Sequence, residues 1–138
     1  MPLRVLSIAL GVFLLFMGLD KLEWFLDSGF LARRLQEWRG TARPIVRWYL
    51  DTIAIPGVPV FARLVPLAEF AAATALILGT YVRLAAALTM LMIINIHFAA
   101  DIIFRYDYLI NPYGVPILGG LLALALGGKK LPQSLSRK

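Results

Sequence analysis

The stretch "PLAEFAAATALILGTYVRLAAALTML", Pro66 to Leu91, holds two apolar runs separated only by Gly79-Thr80-Tyr81-Val82-Arg83. Both runs extend past the quoted ends, giving apolar segments over Val60–Leu78 and Leu84–Ala100. About 20 apolar residues in helical form cover the ~30 Å of hydrocarbon in a bilayer. The pattern therefore predicts two spanning helices, and so short a link makes them antiparallel neighbours.

Working outward, two further apolar segments appear, Val5–Leu19 before the hairpin and Leu109–Leu126 after it. The composition agrees: the 138 residues are 60% hydrophobic and 16% charged, with a mean hydropathy of +0.78. A soluble domain of this size would need a mostly polar surface. Strand-period alternation is missing over any useful length, which argues against a membrane β-barrel. The expected fold is all-α, a single-domain integral membrane four-helix bundle over residues 1–138. Arg4 precedes the first segment, but no A-x-A-like site follows it, so it is expected to be a retained helix and not a cleaved signal. For the fourth segment, Asn111-Pro112 predicts an N-cap and first helical position, and Gly127-Gly128 predicts the end. Gly119 and Gly120 predict close helix approach.

Residues of about 28–55, between the first two spans, have a different pattern. Leu31, Leu35, Trp38, Ala42, Ile45 and Tyr49 recur in steps of three and four, while Arg33, Arg34, Glu37, Arg39, Arg43 and Arg47 fill the other faces. Gly40 and Pro44 divide the segment into two short helices, the first capped by Asp27 or Ser28 and the second starting near Pro44. Arg33, Arg34, Arg39, Arg43 and Arg47, with Trp38 and Trp48, suit an amphipathic interfacial helix pair against lipid headgroups or a partner. Such a pair is either a lid that only seals the bundle, or a docking surface or the wall of a substrate entrance.

The net charge of +6 points to anionic lipid or an acidic protein partner and away from nucleic acid. Lys and Arg divide nearly evenly between the two predicted faces, six on the side of the termini and eight on the side of the amphipathic insert. The location expected is a bacterial or archaeal inner membrane, multi-pass, with both termini cytoplasmic.

Polar residues inside the spans are the candidates for function, because a charge at mid-bilayer costs roughly 2.5–3.5 kcal/mol on insertion scales. Glu69 lies ~15 Å along its helix from Gly79, and Asn95, His97 and Asp101 lie ~17, ~20 and ~26 Å from Leu84 at ~1.5 Å per residue. Lys21 sits at the same end of the first helix and can meet Glu69 or Asp101. His97 and Asp101, four apart, would share a helical face on which the carboxylate holds the imidazole. These residues, together with Asn111, are expected to form either a register-fixing network or a site for a polar headgroup or a proton. No cysteine and one histidine leave no thiol nucleophile, disulfide relay, iron–sulfur ligand set or bis-His haem, and no metal site is expected. Phosphate-binding and dinucleotide loops are also missing.

The segments "GVFLLFMGLDKL", "PLAEFAAATALILGTYVRLAAALTML" and "NPYGVPILGGLLALALGG" together resemble the DoxX-like membrane proteins over most of the chain. The resemblance rests on G-x-x-K-L closing helix one, a Glu in helix two, G-x-x-x-R before helix three and an Asn-initiated fourth helix. Lys21, Glu69, Arg83 and Asn111 are the matching positions. Ala71, Ala72 and Ala73 depart from the glycines expected after the Glu, and the basic insert is longer than in compact members. The resemblance implies a link to thiosulfate:quinone oxidoreduction as a small subunit. Without redox ligands of its own, the chain is expected to have no catalytic activity by itself. The expectation is an accessory or anchoring subunit of an electron-transfer assembly, with other membrane subunits as partners. The alternatives are a quinone-binding redox subunit and, third, a small proton-coupled transporter. No cofactor is expected in the chain itself, and a quinone or lipid is the ligand left open.

Overall fold

A computed structural model describes residues 2–128. Its helices are α1 (Pro2–Asp20), α2 (Glu23–Leu26), α3 (Gly29–Thr41), α4 (Pro44–Tyr49), α5 (Val58–Leu78), α6 (Val82–Ala99) and α7 (Val115–Gly127). A π-helical turn, Leu50–Ala54, joins α4 towards α5, and a 3-10 turn, Tyr106–Ile110, follows α6. Among the described residues there is no strand.

Helices α1, α5 and α6 are long and apolar enough to cross a membrane. Their outer faces present Val5, Phe16, Val60, Leu67 and Leu88, as a lipid-facing surface requires. The protein is thus a multi-pass membrane protein in contact with the bilayer.

The fourth predicted span is shorter than expected. Helix α7 has 13 residues, about 20 Å of rise, and it begins at Val115 instead of Pro112. The Asn111 side chain accepts from Tyr113 N–H at 2.9 Å and its carbonyl accepts from Gly114 N–H at 3.0 Å. Asn111-Pro112 therefore forms a turn, and Pro116 takes the place of a first-turn proline. The all-α reading holds, with three helices long and apolar enough to span and the shorter apolar α7 packed against α6 and α1.

Helix α1 packs most extensively on α5, and α6 packs on α7 and α5. One core, at the end bearing the α5–α6 link, unites Leu10, Leu14, Ala73, Leu76, Ala86, Leu121 and Leu124. Gly11 permits the α1–α5 contact: a Cβ there would lie 2.7 Å from Ile77 Cγ1 and 3.1 Å from the Ala73 carbonyl oxygen. Gly120 likewise faces Leu10 and Leu6 of α1, whereas Gly119 faces open space. The tight α5–α6 link uses left-handed backbone at Gly79 (φ 75°) and Tyr81 (φ 49°).

Two arginines close helix ends at this face. Arg4 Nη1 and Nη2 donate to the carbonyls of Leu76 and Ile77 at 3.0 and 2.6 Å, and Ser7 also donates to Leu76 O at 2.7 Å. Arg83 Nε donates to Ala125 O at 2.8 Å near the end of α7. Each guanidinium satisfies carbonyls that a helix C-terminus leaves without donors, and meets the negative end of the dipole.

At the opposite end the amphipathic insert folds onto the bundle as two helices, α3 and α4. Helix α3 continues through Gly40 to Thr41, and the break falls at Ala42-Arg43, where the coming Pro44 disfavours helical backbone. Asp27 Oδ1 accepts from Gly29 N–H at 2.8 Å at the start of α3. A second core joins Leu31, Leu35, Val46 and Leu50 of the insert to Val58 and Ala62 of α5 and Ala99 of α6. Arg39 pairs with Asp51 on the outer surface, and this hydrogen bond holds the Asp51 carboxyl below its ordinary range.

Candidate functional site

A cavity of about 560 Å³ opens where α1, α5 and α6 meet the insert. Its wall is mostly aliphatic and aromatic, and the polar side chains that reach it are Lys21, Arg34, Tyr49, Glu69, Asn95, His97 and Tyr113. Four of the six residues in the predicted polar network are thus resolved by position: Lys21, Glu69, Asn95 and His97 line one space, while Asp101 and Asn111 do not.

Lys21 lies just past the end of α1. Its Nζ donates to Glu69 Oε1 at 3.0 Å, to Glu69 Oε2 at 3.3 Å and to the Met17 carbonyl at 3.3 Å. The ammonium also lies 5.8 Å from the centre of the Trp24 ring. Sequence distance is bridged here by the α1–α5 contact, which places Gly18 against Phe70, next to Glu69. Two charges otherwise costly in hydrocarbon neutralise each other at the cavity wall.

On α6 the expected His97–Asp101 pairing does not form. The helix ends at Ala99, and Asp101 adopts left-handed backbone (φ 57°), so the two side chains no longer share a helical face. His97 Nδ1 lies 2.8 Å from the Tyr108 hydroxyl, with the rings edge to face at 5.5 Å. Buried Asp101 instead accepts from Arg43 N–H at 3.1 Å and lies 3.6 Å from Arg43 Nε, tying the first turn of α4 to the end of α6. Asn95 accepts a hydrogen bond from Tyr49 of α4, a second tie between insert and bundle.

Tyr49 and Tyr108 were not singled out by sequence reasoning. Tyr49 was legible only as one member of the apolar stripe, and nothing in the spacing links Tyr108 to His97. Burial pushes the Tyr108 phenol up, which keeps its hydroxyl protonated. Gly114 abuts the same ring; a Cβ there would meet Tyr108 Cζ at 3.0 Å. Tyr113 stacks on Phe13 at 6.0 Å along the cavity wall.

The predicted interface residues divide. Arg34 and Trp38 line the cavity. Arg33 lies 4.9 Å from the Phe30 ring, Arg43 donates to Phe104 O at 3.2 Å, and Arg47 donates to Ala42 O at 3.4 Å. Trp48 is an exposed large side chain on α4. Among the described residues no group of three His, Cys, Asp or Glu side chains is placed to hold a metal ion.

Chemically, the cavity offers an apolar chamber with a neutralised ion pair, an amide and an imidazole in its wall. The family model described as DoxX matches residues 3–101, a range that includes Lys21, Glu69, Asn95, His97 and Asp101 and stops before Tyr108 and Asn111. No curated protein and no solved structure matches the chain.

Proposed function

Because the chain belongs to the DoxX family, we propose that it is a small membrane subunit of an electron-transfer assembly and that its cavity holds a quinone-type carrier drawn from the bilayer. The observation that carries this reading is the cavity itself. Its volume, about 560 Å³, falls within the ~300–1,000 Å³ of small-molecule sites, whose walls are mostly apolar with a few placed polar groups.

The chemistry favours a neutral ring over a charged headgroup in the interior. Lys21 and Glu69 cancel, leaving Asn95 and His97 as uncharged hydrogen-bonding groups suited to a carbonyl or hydroxyl. Trp24, Trp38, Phe13 and Tyr113 supply aromatic walls for a flat ring. The chain has no cysteine and a single histidine, so electrons must be exchanged with a cofactor owned by another subunit. Its role in this reading is to hold the carrier where that partner can reach it. The termini and the α5–α6 link face the cytoplasm, and the insert faces the other side.

Purification from native membranes in mild detergent, followed by native mass spectrometry and solvent extraction, tests the reading. One quinone per chain together with a companion redox subunit is the expected result. A chain that purifies alone with phospholipid as its only extractable ligand refutes it.

A further inference from the structure

His97 is the one histidine of the chain, and its two ring nitrogens meet different surroundings. Nδ1 is engaged by the Tyr108 hydroxyl at 2.8 Å. The other nitrogen, Nε2, has no protein partner among the described residues, and the side chain lines the cavity. A neutral imidazole carries one proton, so the partner at one nitrogen decides what the other can do.

A tyrosine hydroxyl is a partner that can reverse. It donates to Nδ1 when Nε2 carries the hydrogen, and it accepts from Nδ1–H when Nε2 presents its lone pair. A carboxylate such as Asp101 would have allowed only the second state. Here Asp101 is turned away and engaged by Arg43. The Tyr108 ring is held by the edge-to-face contact with His97 and by the close approach of Gly114. The hydroxyl therefore stays in place while its hydrogen reorients.

Resting on the quinone reading above, we infer that His97 and Tyr108 form a reversible hydrogen-bond pair that recognises both oxidation states of the carrier. Toward the oxidised ring, Nε2–H donates to the carbonyl oxygen while Tyr108 donates to Nδ1. Toward the reduced ring, the quinol hydroxyl donates to Nε2 while Nδ1–H donates to Tyr108. No net charge changes in either state, as a low-dielectric cavity demands. His97 is the ligand-contacting group, and Tyr108 is a positioning residue that acts through it.

The single histidine makes the test direct. Chain labelled with 15N-histidine, reconstituted in lipid nanodiscs, is titrated anaerobically with decylubiquinone and then with decylubiquinol. The ring nitrogens are expected to report the Nε2–H tautomer with the quinone and the Nδ1–H tautomer with the quinol. The same tautomer in both complexes overturns the inference while leaving quinone binding intact. Binding of neither compound instead removes the reading of the cavity on which it rests.

Two variants add a readout by affinity. In Tyr108→Phe, Nδ1–H would be buried without an acceptor, so quinol affinity falls roughly ten-fold relative to quinone affinity. An equal loss for both ligands would mark Tyr108 as merely structural and refute its role. His97→Leu should weaken both ligands together, and unchanged affinity for both would show that His97 does not touch the ligand.

Discussion

Replacing Lys21 by Met should be the most damaging single change to the polar wall, and its size follows from the surroundings of the two charges. The Glu69 side chain is 4% exposed and the Lys21 side chain 13%. Both Glu69 oxygens are bonded to Lys21 Nζ, at 3.0 and 3.3 Å. Lys21→Met leaves a buried carboxylate without that partner, at a cost of ~3–5 kcal/mol. Glu69→Gln is milder, because the Lys21 ammonium keeps the Met17 carbonyl and the Trp24 face and its long stem can carry it toward the surface. We expect a loss of ~1–2 kcal/mol there, the range for a buried polar group deprived of one partner. The double variant removes both charges, so its loss should be less than the sum by ~1–3 kcal/mol. For a chain of this length, the Lys21→Met loss corresponds to a fall in Tm on the order of 10 °C. Tryptophan-detected thermal unfolding in nanodiscs at one fixed scan rate measures all four proteins on a common footing. Strict additivity, or a larger loss in Glu69→Gln than in Lys21→Met, would refute the reasoning.

Two further outcomes follow from packing and topology. Gly11→Ala drives a Cβ to within 2.7 Å of Ile77 Cγ1 and 3.1 Å of the Ala73 carbonyl, and should cost ~1–3 kcal/mol by overpacking the α1–α5 contact. Gly119→Ala meets nothing within 4 Å and should be neutral or raise Tm slightly, since alanine favours helix by up to ~1 kcal/mol; the same unfolding assay separates the two. Because the chain lacks cysteine, Ser28→Cys and Thr80→Cys report the crossing of α5 without background. An impermeant thiol reagent should label the first in intact cells and the second only after permeabilisation, and labelling of both in intact cells would refute that crossing.

The Lys21–Glu69 contact was legible from sequence because cost and geometry leave few choices. Two charges at the same depth on helices that must pack have each other as the nearest remedy. The hairpin was legible for a similar reason: two apolar runs and a short link admit one arrangement. Other parts were hidden where one residue type serves two local structures. Asn before Pro signals a helix N-cap, yet the same side chain stabilises the Asn111 turn, and only Pro116, the second residue of α7, marks the true start of that helix. The His97–Asp101 expectation failed because it assumed that helical spacing continues to residue 101. The helix stops at Ala99 and a left-handed aspartate, a conformation uncommon outside glycine, redirects the side chain. Tyr108 then reaches His97 through a turn whose course no periodicity encodes.

The arginine and lysine at the two ends of α1 have a consequence for biosynthesis. Arg4 finds its acceptors on residues 72 and 73 positions later in the chain, and Lys21 finds its carboxylate 48 positions later. At ~5–20 residues per second of translation, the wait for the more distant partner is roughly 4–15 seconds. During that interval α1 is a hydrophobic segment with an unmatched cation near each end, held in place by headgroups or by the insertion machinery. Arrival of α5 supplies both partners in turn, Glu69 for Lys21 and then the Leu76 and Ile77 carbonyls for Arg4, so we expect the α1–α5 pair to be the first stable unit. A nascent chain arrested before α5 emerges should therefore be a substrate for membrane quality control, and release of the arrest should rescue it.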